Sequence, residues 1–205
     1  MYQPAHFRMR EIEAVHALMR AASFASLIST DEAGLPVVSY LPFHLAPSEG
    51  EFGCLYGHMA RANPQWRHFD RPVLASFLGP HAYVSPSWYE SQPNVPTWNY
   101  MAAEAAGRAE IIDEPAAARA LLAALVADYE GTPPAWTMAA VPESYTEAMI
   151  RGIVAFRIPI QRLEGKAKLS QNKSEADRAG VIAALRRGGD PLAAMLAAKM
   201  QETMP

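Results

Sequence analysis

Cysteine occurs once in the 205 residues, at Cys54. One thiol supports neither a disulfide framework within the chain nor a thiolate-rich metal site, and its scarcity suits a reducing compartment. No uncharged apolar run reaches the ~18 residues that a membrane span needs. The opening, MYQPAHFRMREIEAVH, is charged and lacks the apolar centre of a signal peptide. A soluble, cytoplasmic protein with no membrane partner is therefore expected. Charged residues make up 19% and the net charge is −3, which gives no general attraction to nucleic acid or anionic lipid. The usual nucleotide, hydrolase and zincin templates are missing: no G-x-G-x-x-G after a strand, no G-x-x-x-x-G-K-[ST], no G-x-S-x-G and no H-E-x-x-H. The six histidines, at 6, 16, 44, 58, 68 and 81, form no i, i+4 pair on a helical stretch, so no metal site is expected.

Lysine is the other scarcity. There are four, and three fall between Lys166 and Lys173. Charge is also uneven along the chain: residues 1–149 balance to −8 and residues 150–205 to +5. The basic end suits an anion, such as a phosphate, a nucleic acid or an acidic partner surface, or else a solvated helical face. Apolar residues make up half the chain, and a chain of this length buries roughly 70% of the surface it exposes when unfolded, enough for a core without staples.

Periodicity predicts a helix over Arg10 to Ala22, then a strand pair. Phe24 to Thr30 is the first arm, Asp31 to Gly34 the turn and Leu35 to Phe43 the second arm, with Gly34 free to take positive φ. Further strands are expected at Glu51 to His58, Pro72 to Leu78, His81 to Ser85, Thr97 to Ile112 and Ile153 to Ile160. Asn63-Pro64 reads as the capped start of a short helix. Longer helices are expected at Glu114 to Glu130, Tyr145 to Arg151, Ser174 to Arg187 and Pro191 to Met204. Six or seven strands without regular alternation with helices argue for an antiparallel barrel with attached helices, a mainly β member of the α+β class.

Three segments carry chemistry. Leu55 to Trp66 ends a strand, turns and starts a helix. Backbone N–H groups there favour an anion, and Arg61 adds a planar fork suited to phosphate oxygens. A capped helix with a surface arginine explains it equally well. Gly165 to Ser174 places three lysines, two hydroxyls and two amides within ten residues, as a phosphate cradle or a solvated loop. His81 to Tyr89 and Pro96 to Tyr100 are rich in aromatics, which wall a planar ring or pack an interface. Read jointly, the three fit a planar ligand with a phosphate, of which flavin mononucleotide (FMN) is one.

The strings Gly57-His58-Met59-Ala60-Arg61-Ala62-Asn63-Pro64-Gln65-Trp66, Gly79 to Tyr89, Val95 to Tyr100 and Lys168-Leu169-Ser170-Gln171-Asn172-Lys173-Ser174 resemble the PaiB family, as does the opening Met1 to Phe7. The resemblance runs from residue 1 to about residue 187. It implies an FMN-binding antiparallel split β-barrel over residues 1–205, with 174–205 a C-terminal helical extension. It also implies a homodimer with flavin at the interface, and a bacterial negative transcriptional regulator. By analogy with the wider fold, Tyr56, Gly57, His58, Arg61 and Asn63 hold the FMN phosphate. Ser39 and Tyr40 bring backbone toward the flavin ring, and Trp98 and Asn99 flank it. Lys168, Ser170 and Gln171 supply further contacts. Relatives of this fold often carry Arg-Lys in the phosphate turn. Ala62-Asn63 stands there instead, so Lys168 is expected to supply charge.

DNA is the partner a regulator needs, yet no helix-turn-helix signature is present, and Arg178, Arg186 and Arg187 form the one basic helical patch. Two other functions fit the same resemblance. One is a flavin-dependent oxidoreductase of the pyridoxamine-phosphate oxidase or flavin reductase type, in which the cofactor carries the redox chemistry. The other is a non-catalytic flavin or haem carrier.

Overall fold

In the computed structural model, residues 1–204 are described, and they form nine strands and five α-helices. In chain order these are β1 (Arg8–Met9), α1 (Ile12–Ala21), β2 (Phe24–Thr30), β3 (Pro36–Pro42), β4 (His44–Ala46), β5 (Cys54–Ala60), β6 (Pro72–Val84), β7 (Thr97–Arg108), β8 (Glu110–Ile112), α2 (Pro115–Glu130), α3 (Glu143–Arg151), β9 (Ile153–Lys168), α4 (Glu175–Arg187) and α5 (Pro191–Glu202). The strands form an antiparallel sheet in the order β3-β2-β6-β7-β9-β5-β4, with β1 and β8 also paired to β9. None of the helices among the described residues is long and apolar enough to cross a membrane.

The chain divides into two compact units. The first comprises residues 1–21, 78–103 and 164–205, and the second residues 22–77 and 104–163. In the second unit, β2 alternates buried Ala25, Leu27 and Ser29 with more exposed neighbours, the period-two pattern of a strand with one covered face. The turn to β3 closes as its sequence implies. Gly34 has φ 82°, and Asp31 Oδ1 accepts the Leu35 N–H at 2.8 Å. Asn63 caps the short 3-10 helix Pro64–His68 through the Gln65 N–H. Gln65 is wholly buried and donates to the Leu27 and Val37 carbonyls and to Ser29. Helix α2 packs Ala118, Leu121 and Leu125 against Ala155, with Tyr56, Ile112 and Ile150 around them.

In the first unit, β1 pairs with the end of β9, Arg8 opposite Lys166 and Met9 opposite Gly165. Helices α4 and α5 bury Val181, Ile182, Leu185, Leu196, Ala197 and Met200. Ser174 caps α4 through the Asp177 N–H.

Several sequence expectations need correction. The sheet has nine strands rather than six or seven. The strand expected at Glu51–His58 is β5, Cys54–Ala60. Pro72–Leu78 and His81–Ser85 are one strand, β6, because Gly79 is a packing position rather than a breaker: a Cβ there would lie 2.5 Å from Leu18 Cδ1. β9 continues past Ile160 to Lys168. The lysine-rich stretch therefore begins in a strand rather than a solvated loop, and Lys166 is buried, its ammonium over the Tyr2 and Tyr100 rings. The Ala-rich part of β7 forms a strand despite poor propensity because Ala103 and Ala105 are fully buried, where small side chains fit. Arg178 is also buried. It donates to the Met200 carbonyl and to Thr203 Oγ1 at 2.6 Å, so it is no part of a basic helical face.

Candidate functional site

In the first unit, three sequence-predicted residues converge. Asn99 on β7 donates from Nδ2 to Ser170 Oγ at 2.8 Å, and both are buried. Lys168, the last residue of β9, donates from Nζ to Thr97 Oγ1 and to the Trp98 carbonyl at 2.8 Å. Thr97, Asn99, Lys168, Ser170, Asn172 and Lys173 line one side of a cavity of about 390 Å³, and Phe7, Tyr89, Pro93 and Val95 supply apolar wall. Strand alternation places Thr97 and Asn99 on one face of β7 and Trp98 on the other. Trp98 instead joins an exposed aromatic group, 6.3 Å from His81 and 6.2 Å from Tyr83 between ring centres.

Two lysines, Lys168 and Lys173, line this cavity. Burial, and then the neighbouring Lys166 charge, push the Lys168 ammonium below the usual lysine range. Such a group gains from an anion that restores its favourable environment. Lys173 stands 5.0 Å from the Tyr89 ring centre and donates to Asn94. Asn99 Oδ1 is buried with no hydrogen-bond partner, an unsatisfied acceptor on a residue of the cavity wall. Two cations, two hydroxyls and amides fit a phosphate with a hydroxylated tail, as FMN carries. Ser170 holds φ 61°, a left-handed conformation uncommon for serine. Gln171 braces that turn: its Oε1 accepts the Leu169 N–H at 2.7 Å and its Nε2 donates to the Ala167 carbonyl at 2.6 Å. It orients Ser170 rather than lining the cavity.

The remaining predicted residues lie in the second unit and separate among several surroundings. Asn63 Nδ2 donates to Ser39 Oγ at 2.8 Å. Tyr40, on the opposite face of β3, is exposed and stacks on Phe24 at 6.4 Å. Arg61 Nε and Nη2 donate to the carbonyls of Arg151 (3.0 Å) and Ile153 (2.7 Å), which ties the turn after β5 to the start of β9. Gly57 is packed against Phe43 and Phe156. Tyr56 donates to Glu49 at 2.6 Å, and burial, with Glu49 beside it, pushes its phenol up to about 12. Cys54, buried and free, is pushed up to about 11, first by burial and then by Glu49. Burial holds His58 below the ordinary histidine value. Its Nδ1 has no partner, and the ring lines an apolar cavity beside α2 and α3.

Sequence reasoning passed over Thr97, and it reached Asn172 and Lys173 only as members of the Gly165 to Ser174 stretch, not as individual site residues. The lysine clustering was the available signal for Lys173. Thr97 carried none, since its place opposite Lys168 depends on the β7–β9 pairing.

A family model described as "Putative FMN-binding domain" matches residues 1–162. The chain is 33% identical over 208 residues to the "Protease synthase and sporulation protein PAI 2" of Bacillus subtilis, covering 100% of this chain and 98% of that one. An uncharacterized protein of Emericella nidulans is 30% identical over 231 residues, covering 87% of this chain and 91% of the other. Among solved structures, the FAD and heme binding protein from Mycobacterium smegmatis superposes with a TM-score of 0.62 at 17% identity, over 89% of this chain and 80% of that chain. At that identity the likeness concerns fold, and the fold is the antiparallel split barrel expected from the sequence.

Proposed function

The chain belongs to the PaiB family of proteins with an FMN-binding domain, and from that membership we propose that it binds FMN as a cytoplasmic homodimer and acts as a negative regulator of transcription. The observation that carries the flavin reading is the Lys168 cradle. A half-buried ammonium, two hydroxyls and an unpartnered buried amide oxygen line one cavity large enough for a phosphate and part of its tail. Lys168, Lys173, Thr97 and Ser170 hold the phosphate, and Asn99 Oδ1 accepts from a ribityl hydroxyl. Bound flavin would supply one-electron and two-electron redox chemistry.

The second-unit group of Ser39, Tyr40, Tyr56, Gly57, His58, Arg61 and Asn63 is the competing seat. It holds one guanidinium, which serves two carbonyls, whereas the Lys168 cavity holds two lysines, and this ranks the second-unit group second. Absorption of the protein as isolated, followed by FMN titration, tests the assignment. Lys168→Ala is expected to weaken FMN binding about tenfold or more, the loss of a charge-assisted hydrogen bond. Arg61→Ala is expected to loosen the turn after β5 and change affinity less. Unaltered affinity in both variants would reject both phosphate seats.

Regulation enters from the name of the Bacillus subtilis relative and from the family resemblance. Burial of Arg178 leaves Arg186 and Arg187 as the basic end of α4, too little for a recognition helix. Regulation is therefore assigned to a protein partner or to flavin state rather than to reading of bases. A gel shift at moderate salt, with and without FMN, separates the two, since direct binding would be salt-sensitive and visible with purified protein. A second reading, a flavin oxidoreductase or a flavin or haem carrier, draws support from the flavin-and-haem relative of the same fold. NADH oxidation above the free-flavin background, or a Soret band, would favour it.

A further inference from the structure

Within the second unit, a cavity of about 360 Å³ lies between α2, α3 and the β5 residue His58. Its walls are mainly apolar. Leu122, Leu125 and Val126 come from α2, Trp136 and Met138 from the connection, and Met149 from α3. No lysine or arginine lines it, and Glu130 adds a carboxylate, so it disfavours phosphates and other anions. None of the Lys168 cradle residues takes part.

Besides Glu130 and the Tyr129 and Tyr145 phenols, two wall residues carry buried polar atoms that lack partners. Thr146, only 6% exposed, has a buried hydroxyl without a hydrogen bond, and His58 has a buried Nδ1 in the same condition. Natural cores seldom leave such groups unpaired, and each one asks for a partner. Thr146 lines the cavity while its oxygen has no accessible surface, so the carbon part of the side chain faces the space; a step of about 120° around Cα–Cβ would carry the oxygen to the place the methyl holds. The His58 ring is held neutral by burial, so Nδ1 serves as donor or acceptor according to tautomer.

We propose that this cavity is a binding site for a neutral, aromatic small molecule carrying a single hydroxyl or amino group, which Thr146 and His58 hydrogen-bond while the apolar wall covers the ring. The site is independent of the Lys168 seat, with which it shares no residue, and it shares only His58 with the competing second-unit seat. Apolar walls with a few convergent polar groups are the usual make-up of small-molecule pockets.

The test uses the full chain and N-phenyl-1-naphthylamine, a neutral probe that brightens in apolar surroundings. Saturable brightening with about one probe per chain is expected. 1-Naphthol should displace the probe at about tenfold lower concentration than naphthalene, the worth of the hydroxyl contact. Thr146→Val keeps the side-chain shape and removes the hydroxyl. It should shrink that ratio about threefold or more, as should His58→Phe. Val126→Trp should fill the cavity and abolish binding with native circular dichroism. Met149→Trp, at an exposed position on the rim, serves the same purpose if the first variant fails to fold. Absence of saturable brightening overturns the proposal. So does an unchanged naphthol-to-naphthalene ratio in both polar variants, and so does competitive displacement of the probe by FMN, which would make the cavity part of the flavin seat.

Discussion

Ser170 joins three local facts: a positive φ, a buried hydroxyl bonded to Asn99, and a turn braced by Gln171. A non-glycine residue held there costs on the order of 1 kcal/mol, which surrounding contacts must offset. Ser170→Gly removes the strain and the hydroxyl together. Its stability is expected to stay within about 1 kcal/mol of the parent, while FMN affinity falls about tenfold. Urea unfolding and flavin titration on one preparation read both quantities. Equal loss of stability and affinity would assign Ser170 a purely structural role.

His58 gives a pH dependence at the same scale. Its folded value lies below the ordinary 6.5, so the unfolded chain takes up a proton first as pH falls. The stabilising contribution is complete above 6.5 and is lost as pH falls through the folded value. Unfolding free energies measured from pH 7 to about pH 5 should therefore decline less in His58→Phe than in the parent. A parallel decline would mean that His58 ionises freely in the folded chain.

Among the elements, α4 shows backbone packing overruling propensity. Gly180 lies inside the helix, where alanine would be favoured by about 1 kcal/mol. A Cβ there would meet the Trp88 carbonyl oxygen at 2.3 Å, and backbone cannot swing aside as a side chain does. Asp177, one turn earlier, accepts the Ser91 N–H at 2.8 Å and the Ser91 hydroxyl at 2.7 Å, so α4 is tied twice to the loop after β6. Gly180→Ala is therefore expected to destabilise by about 1–3 kcal/mol despite the better helix former, as a lower midpoint in thermal unfolding. The elements with unbroken local patterns were legible in the sequence. β2 matches its expected bounds because its alternation is complete, and α4 begins at its Ser174 cap. β4 is three residues long and too short to show a period. The continuity of β6 through Gly79 and Pro80, and of β9 to Lys168, depends on partners distant in sequence, which no local pattern reports.

For the molecule as a whole, the second unit exposes Phe24, Leu35, Val38 and Tyr40 at 65%, 62%, 49% and 67% on and beside β2 and β3. Apolar exposure along a strand at the end of a sheet invites a covering partner, and the proposed dimer uses this surface. Tyr40→Lys combined with Val38→Lys should shift the mass measured by light scattering to that of one chain and leave circular dichroism unchanged. An unaltered mass would move the contact elsewhere. The site was legible only in part for a related reason. Lysine scarcity pointed to Lys168, but the Asn99–Ser170 contact spans 71 residues of chain, and neighbours such as Trp98 and Asn99 face opposite ways once the strand forms. A string of adjacent motif residues is thus divided between two surfaces.

The phosphate seat at Lys168 is tested most directly by comparing FMN with riboflavin, which differs by that phosphate alone, in the parent protein and in Lys168→Ala. The parent should favour FMN by about tenfold or more, and the variant should bind both nearly alike. A preference for FMN that persists undiminished in Lys168→Ala would place the phosphate elsewhere and contradict the account.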